Sequence, residues 1–160
     1  MNPIIKALVM DIDGVLTDGT FVLDANGTES KRFCFFDVMG VSIGRAAGLS
    51  FGVISGENTA TAQAIVKKLK IEHAYLGVKQ KDIALHDFSK VTRIPLENIC
   101  YIGDDINDIP AIIIAGFSAA PANGHPSVLE RVTHRLNKPG GSGALRELIE
   151  HLIEKNHLSP

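Results

Sequence analysis

Two apolar runs of the sequence, 7–10 and 98–102, each end on side chains that could bind a metal ion. These side chains are Asp11, Asp13, Asp104, Asp105, Asn107 and Asp108. Carboxylates that pack together raise each other's pKa, and a hard divalent cation removes that conflict. Mg²⁺ typically takes one or two carboxylates, together with waters and the phosphate oxygens of a substrate. The pattern therefore predicts a Mg²⁺ site.

Two further residues could hold a phosphate group beside this metal. Ser55 follows the apolar run 49–54, and Lys81 opens a helix-like segment at 81–91. A hydroxyl, an ammonium and a metal-bound phosphate together indicate phosphoryl transfer, where catalysis is mostly positioning and charge neutralisation. Asp11 and Asp13 are two residues apart and can face the same substrate if they continue a strand, and one of them can act as the nucleophile.

The elements that must position these residues alternate along the chain. Apolar strand-like runs lie at 4–12, 49–54, 74–76, 98–102 and 117–120. Helix-like segments lie at 38–47, 59–69, 81–91, 109–115, 126–132 and 145–154. Strands 21–23 and 29–36 flank Asp24-Ala25-Asn26-Gly27, a strong hairpin signal. Continuous apolar strands joined by helices predict one α/β domain over residues 1–160, doubly wound and Rossmann-like, with a parallel sheet and a β-hairpin insertion.

This topology brings the candidate residues together. In an open α/β sheet, ligands bind beyond the carboxyl ends of the strands. Asp11, Ser55 and Asp104 each follow a predicted strand, and Lys81 begins the helix after another. We therefore expect them to share one edge of the sheet.

The composition of the chain indicates which partners it can bind and in which cellular compartment it works. The 160 residues carry a formal net charge of −2, which disfavours nucleic acid and anionic membranes as partners. No apolar run reaches the roughly 18 residues of a membrane span, and no signal-peptide pattern occurs. Cys34 and Cys100 lack a metal-binding spacing and read as reduced thiols. We expect a cytoplasmic protein.

The stretches DIDGVLTDG and ISG, then Lys81, then IGDDIND, resemble the haloacid dehalogenase superfamily of phosphatases. The resemblance implies that Asp11 is the nucleophile and that Asp13 acts first as general acid and then as general base. It implies that Ser55 and Lys81 hold the phosphoryl oxygens. Mg²⁺ would be held by Asp11, the backbone carbonyl of Asp13 and Asp104. Supporting residues around these ligands would be Asp105, Asn107 and Asp108.

Many members of this superfamily carry a cap domain over the site, but this chain leaves no room for one. Only 41 residues separate Asp13 from Ser55, and 25 separate Ser55 from Lys81. Neither segment can form a domain with its own core. The site is therefore predicted to be open unless another subunit covers it.

Further stretches resemble a capless subgroup, the phosphatases of 3-deoxy-D-manno-octulosonate 8-phosphate and its nine-carbon relatives. These stretches are DGVLTDG before a hairpin, YIGDDIND, residues 122–126, and GGSGALRE at 140–147. The resemblance implies a small sugar phosphate as substrate and a homotetramer in which the hairpin of one subunit covers the site of the next. Residues that we expect near the substrate are Thr17, Gly56, Gly141, Gly143 and Arg146.

The residue at position 57 leaves two kinds of sugar phosphate as candidate substrates. Octulosonate phosphatases usually have arginine after the Ser-Gly pair, whereas this chain has Glu57. Glu57 and Lys68 resemble the phosphatase of 2-keto-3-deoxynononate 9-phosphate, so a nononate or N-acylneuraminate 9-phosphate is the alternative substrate to octulosonate 8-phosphate. Glu57 can also be an ordinary acid in the first turn of a helix.

Two alternatives of another class remain. A phosphorelay receiver also combines an acidic cluster, a hydroxyl and a lysine on a doubly wound sheet. In a receiver, however, the hydroxyl and lysine follow the phosphorylated aspartate, whereas Ser55 and Lys81 precede the second acidic group here. A catalytically silent binding protein is the other alternative, and the presence of every motif acid disfavours it.

Overall fold

The central strand of the sheet is β1 (Ala7–Met10), and all four of its residues are fully buried. The computed structural model describes residues 4–155. β1 pairs in parallel with β4 (Ser50–Ser55) on one side and with β6 (Ile99–Ile102) on the other. A strand that is covered on both faces must be apolar along its whole length, which explains the continuous run Ala-Leu-Val-Met.

The remaining elements complete a six-stranded parallel sheet in the order β5-β4-β1-β6-β7-β8 and a separate antiparallel hairpin of β2 and β3. The other strands are β2 (Val22–Leu23), β3 (Glu29–Ser30), β5 (His73–Leu76), β7 (Phe117–Ala120) and β8 (His134–Arg135). The helices are α1 (Phe35–Ala46), α2 (Ala60–Lys68), α3 (Lys81–Thr92), α4 (Ile109–Ile114), α5 (Pro126–Leu129) and α6 (Ala144–Glu154). Short 3₁₀ turns lie at Leu96–Asn98 and Ile106–Asp108.

Each face of the sheet has its own apolar core. Helices α1, α2 and α6 cover one face through residues such as Val41, Ile65 and Leu148. Helices α3, α4 and α5 cover the other through residues such as Phe88 and Val128. This arrangement confirms the doubly wound α/β prediction. Among residues 4–155 the hairpin is the one insertion, and no cap domain is present.

The order in which strands are added to the sheet reverses at β1. The chain moves from β1 to β4 and β5 on one side, and then crosses to β6, β7 and β8 on the other. The crevice beyond the carboxyl ends of β1, β4 and β6 is therefore the expected ligand position in this fold. In the part of the chain that the structure describes, no helix is both long and apolar enough to cross a membrane.

Several predicted boundaries were wrong. The second strand of the hairpin stops at Ser30, and α1 begins at Phe35. Phe35 and Phe36, which suggested a longer strand, instead form part of the first turn of the helix, where Phe35 is 78% exposed. Helix α5 ends at Leu129 rather than at 132. β8 was not predicted because its two residues, His134 and Arg135, carry no apolar pattern.

Candidate active site

A buried lysine lies at the centre of the residues that β1, β6 and α3 bring together. The Lys81 Nζ is 2.7 Å from Oδ2 of Asp11 and 2.7 Å from Oδ1 of Asp108, and the Lys81 side chain has no exposed surface. Burial alone would lower the pKa of Lys81, but the two carboxylates hold it above its ordinary value. The ammonium therefore stays charged and is available to neutralise a bound anion.

Asp11 extends directly from β1 into this cluster. Its Oδ1 accepts a hydrogen bond from the backbone N–H of Ile12 at 2.7 Å. Burial, together with the nearby Asp108, raises the pKa of Asp11 to about 8, although Lys81 acts in the opposite direction. Burial and repulsion between carboxylates thus outweigh the attraction of the one ammonium.

Asp104 supplies the clearest indication of a cation site. Its Oδ1 is buried and has no hydrogen-bond partner among residues 4–155. Burial, with Asp108 and Asp105 beside it, raises the pKa of Asp104 to about 7. One oxygen each from Asp11, Asp104 and Asp108 lie within 4.8 Å of one another. A buried carboxylate oxygen without a partner, in an all-oxygen cluster, fits a hard cation such as Mg²⁺.

Asp108 belongs to the same cluster, but its oxygens are already engaged. Oδ1 accepts from Lys81 and, at 2.6 Å, from the hydroxyl of Tyr101. Oδ2 accepts from the backbone N–H groups of Asp104 at 3.0 Å and Asp105 at 3.2 Å. Asp108 therefore orients Lys81 and the loop that carries Asp104. Asp11 and Asp104, unlike Asp108, line the cavity beside the cluster, so they are the side chains that could hold the metal, together with the backbone carbonyl predicted at Asp13.

A cavity of about 230 Å³ opens beside this cluster. Its lining residues are Asp11, Asp13, Gly19, Ser55, Gly56, Glu57, Asp104, Asp105 and Asn107. Ser55 is positioned by β4, and its Oγ accepts a hydrogen bond from the backbone N–H of Glu57 at 3.2 Å. The structure thus gathers eight of the predicted site residues around one cavity, with the Lys81 ammonium bonded to one of them, Asp11.

Thr17 does not line the cavity. Its side chain is fully buried, and its hydroxyl accepts hydrogen bonds from the backbone N–H groups of Gly14 at 3.1 Å and Gly19 at 3.2 Å. The structure gives Thr17 a role in holding the turn after Asp11 and Asp13 rather than a surface for substrate.

Four other predicted substrate residues also lie outside the cavity lining. The Gly141 N–H donates to the Val15 carbonyl at 3.1 Å, so the loop that contains Gly141 and Gly143 packs on the turn after Asp13. The Arg146 Nε pairs with Glu150 at 2.6 Å. The Lys68 ammonium lies 5.6 Å from the centre of the Phe35 ring. Substrate contacts by these residues stay predictions.

Sequence reasoning missed three residues of the site and its support. Tyr101 reads as an ordinary buried residue of β6, although it bonds Asp108. Asp37 of α1 accepts from the backbone N–H of Arg146 at 3.1 Å and so caps α6 from a distance. Lys31 of the hairpin pairs with Asp13 at 2.8 Å. Local patterns carried no signal for these contacts, because each depends on how side chains of different elements pack against one another.

Comparison with known proteins agrees with this geometry. Residues 77–148 match the family model of haloacid dehalogenase-like hydrolases. The chain is 34% identical to the 3-deoxy-D-manno-octulosonate 8-phosphate phosphatase of Salmonella typhi over 93% of this chain and 79% of that protein.

Two solved structures are similar over nearly the whole chain. One is the cobalt-bound form of the deoxy-D-mannose-octulosonate 8-phosphate phosphatase of Haemophilus influenzae, with 35% identity, a TM-score of 0.91, and 94% and 88% of the two chains covered. The other is the corresponding phosphatase of Moraxella catarrhalis in complex with magnesium ion, phosphate ion and KDO, with 34% identity, a TM-score of 0.90, and 94% and 86% covered.

Proposed function

Since this chain belongs to the haloacid dehalogenase superfamily, with octulosonate 8-phosphate phosphatases as relatives along nearly its whole length, we propose that it is a Mg²⁺-dependent phosphatase of 3-deoxy-D-manno-octulosonate 8-phosphate. The observation that carries the proposal is the buried cluster of Asp11, Asp104 and Lys81. It combines a nucleophile, an unpartnered carboxylate oxygen and a phosphate-binding ammonium at the open edge of the sheet.

The reaction follows from the roles of these residues. A carboxylate oxygen of Asp11 attacks phosphorus and forms an aspartyl-phosphate, while Asp13 gives its proton to the departing sugar oxygen. Asp13 then takes a proton from water as the water attacks phosphorus, and this step releases phosphate and restores Asp11. Lys81 and Ser55 hold the phosphoryl oxygens. Bound Mg²⁺ supplies positive charge to the phosphoryl group and to the carboxylates around it.

Asp108 and Tyr101 keep Lys81 in place during both steps. Asp108 accepts hydrogen bonds from the Lys81 ammonium at 2.7 Å and from the Tyr101 hydroxyl at 2.6 Å, and both contacts are buried. Fixed charges in a buried site stabilise a developing anion without having to reorient. The buried network therefore favours phosphoryl transfer over simple phosphate binding.

A nine-carbon sugar phosphate is the second candidate substrate, and Glu57 is the observation that favours it. Glu57 lines the cavity, where its carboxylate can accept hydrogen bonds from sugar hydroxyl groups and repel a substrate carboxylate. The sequence relatives favour the octulosonate instead. The position of Glu57 in the cavity lining supports a role for it in sugar choice.

A homotetramer is part of the proposal. The hairpin presents Phe21, Val22 and Leu23 to solvent at 59%, 67% and 60% exposure, and Phe35 and Phe36 of α1 are also exposed. Apolar side chains in such a cluster support burial against another subunit. The hairpin of one subunit would then cover the neighbour's open cavity. We also propose a cytoplasmic location, which the two free cysteines of the described chain support.

Phosphate release with Mg²⁺ tests the activity. Octulosonate 8-phosphate, nononate 9-phosphate and N-acetylneuraminate 9-phosphate are compared for the wild type, Asp11→Asn and the control Asp87→Asn, whose exposed carboxylate accepts a hydrogen bond from the Tyr75 hydroxyl. We expect preference for the octulosonate, loss of turnover in Asp11→Asn and no loss in the control. Preference for a nine-carbon sugar would move the assignment to the second candidate. Turnover of none of the three would refute the sugar assignment.

Light scattering tests the assembly. The wild type should have four times the mass of one chain, and Val22→Lys, which places a charge in the exposed apolar cluster, should lower that mass. A monomeric wild type would contradict the tetramer.

A further inference from the structure

Lys31 joins the hairpin to the proposed acid–base residue. It follows β3 directly, and its side chain is only 3% exposed although it belongs to a hairpin whose tip is open to solvent. Its Nζ lies 2.8 Å from Oδ1 of Asp13 and 3.2 Å from Oε1 of Glu29. A lysine is rarely buried to this extent unless its ammonium has a specific partner.

We propose that Lys31 is a positioning residue, which holds the carboxyl group of Asp13 in the orientation that proton transfer requires. This inference rests on the proposed function for the role of Asp13. It makes the hairpin part of the catalytic machinery of its own chain, in addition to any cover it provides for a neighbour.

The contacts of Asp13 show why it needs such a partner. Asp13 lies where the chain leaves β1, and its side chain is 31% exposed. Across residues 4–155, Lys31 is the one group in hydrogen-bond or ion-pair contact with its carboxylate. Lys31 uses Oδ1, so Oδ2 remains for the proton that passes to the leaving oxygen or from water. A general acid must be held within hydrogen-bond reach of the reacting oxygen, and small misplacements lower the rate strongly.

The hairpin is itself tied to the opposite wall of the site. The Thr61 hydroxyl donates to Oε1 of Glu29, the same oxygen that lies near Lys31. Thr61 is in the first turn of α2, just beyond Ser55 and Glu57, which line the cavity. The chain of contacts therefore runs from Asp13 through Lys31 and Glu29 to α2. Movement of the hairpin would displace the carboxyl group of Asp13.

An ion pair that only fastens the hairpin would have no specific effect on proton transfer. The dependence on the leaving group separates the two roles. The parameter kcat/KM reports the steps up to departure of the leaving group. A sugar alkoxide must be protonated as it leaves, whereas p-nitrophenolate leaves readily without a proton. Loss of acid positioning therefore affects the sugar phosphate far more.

The experiment measures kcat/KM of Lys31→Met on both substrates. We expect a fall of about tenfold or more for octulosonate 8-phosphate, a part of the 10²–10⁴ that general acid catalysis typically contributes, and a fall below about threefold for p-nitrophenyl phosphate. Lys31→Arg should restore most of the loss. Arg32→Met, which removes the exposed positive charge of the next residue, should behave as the wild type. Asp13→Asn should show the same substrate difference as Lys31→Met, but larger.

Two results would overturn the proposal: an equal fall on both substrates, or no fall on the sugar phosphate. If Lys31→Met does not fold, Glu29→Gln replaces it, and a smaller difference in the same direction is expected. If the wild type hydrolyses p-nitrophenyl phosphate but not the sugar phosphate, the proposed substrate is wrong. The Lys31 comparison is then made with another alkyl phosphate that the wild type hydrolyses, and the same two results decide it.

Discussion

Replacing Gly14 by alanine should push the carboxylate of Asp104 out of the candidate metal site. Gly14 follows Asp13 and has a φ of +85°, and its Cα faces the Asp104 side chain. A Cβ built on Gly14 would lie 2.7 Å from Oδ1 of Asp104 and closer still to Cγ and Oδ2. The overlap is with the Asp104 side chain, so we expect the carboxylate to leave the position it has beside Asp11 and Asp108.

The change has two separate effects with different magnitudes. Alanine at a positive φ is strained by about 1–2 kcal/mol wherever it occurs. That strain lowers the melting temperature of a chain of this size by about 2–4 °C for each kcal/mol. Displacement of Asp104 removes a side-chain ligand of the metal. Loss even of a group that supports a ligand typically weakens metal binding 10–100-fold, so we expect the Mg²⁺ concentration for half-maximal activity to rise at least about tenfold.

Gly48→Ala is the matched control for the strain. Gly48 has a φ of +92°, and a Cβ there meets nothing within 4 Å. Both variants are melted in EDTA and in Mg²⁺, and their activity is titrated with Mg²⁺. In EDTA, Gly14→Ala should lose at least as much stability as Gly48→Ala, because it has the same backbone strain and must also displace the Asp104 side chain. With Mg²⁺ present, Gly48→Ala should regain the full metal-induced rise in melting temperature, and Gly14→Ala should regain only part of it.

One result would refute this reasoning about the metal site. If Gly14→Ala binds Mg²⁺ as tightly as Gly48→Ala does, Asp104 is not a metal ligand or the site can relax around the added methyl group. In the first case the unpartnered oxygen of Asp104 would no longer indicate a cation site.

Three further changes test the electrostatics and the support of the site. Lys81→Met should abolish turnover and lower the free energy of unfolding by about 3–5 kcal/mol in urea denaturation, since it leaves Asp11 and Asp108 buried without their cation, whereas the exposed Lys79→Met should do neither. In EDTA, the free energy of unfolding should fall as the pH rises from about 4 to 8. The cause is that the pKa is raised to about 8 for Asp11 and about 7 for Asp104 in the folded chain, so the unfolded chain releases these protons at lower pH. Mg²⁺ should therefore raise the melting temperature more at pH 8 than at pH 5, and equal shifts would contradict this. Asp37→Ala should lower the free energy of unfolding by about 0.5–2 kcal/mol in the same assay through loss of the α6 cap, and unchanged stability would show that the cap is dispensable.

The positions of the main strands and helices were predictable from local patterns. β1, β4 and β6 are continuous apolar runs in sequence and are buried along nearly their whole length in the structure. Sheets with helices on both faces require such runs, and a local window is enough to find them. The hairpin was predictable for a similar reason, since the turn at Gly27, with a φ of +80°, needs a residue without a side chain.

The extent of the shorter elements was less predictable. The predicted second strand of the hairpin ran to Phe36, but α1 begins at Phe35 and packs against α6. β8 is held in the sheet by its pairing with β7, not by apolar residues of its own. Tertiary contacts override local preference wherever the local preference is weak.

The sequence by itself determined the kind of chemistry at this site. Carboxylates, a hydroxyl and a lysine that each adjoin a strand or open a helix must meet at the carboxyl edge of a parallel sheet, because every strand of such a sheet points the same way. Only the tertiary structure decided which of these groups touch. The pairing of Lys31 with Asp13, the bond from Tyr101 to Asp108 and the unpartnered oxygen of Asp104 depend on side-chain positions that the packing of different elements sets. Such contacts leave no periodic trace in sequence, since they are set by packing across elements and not along one.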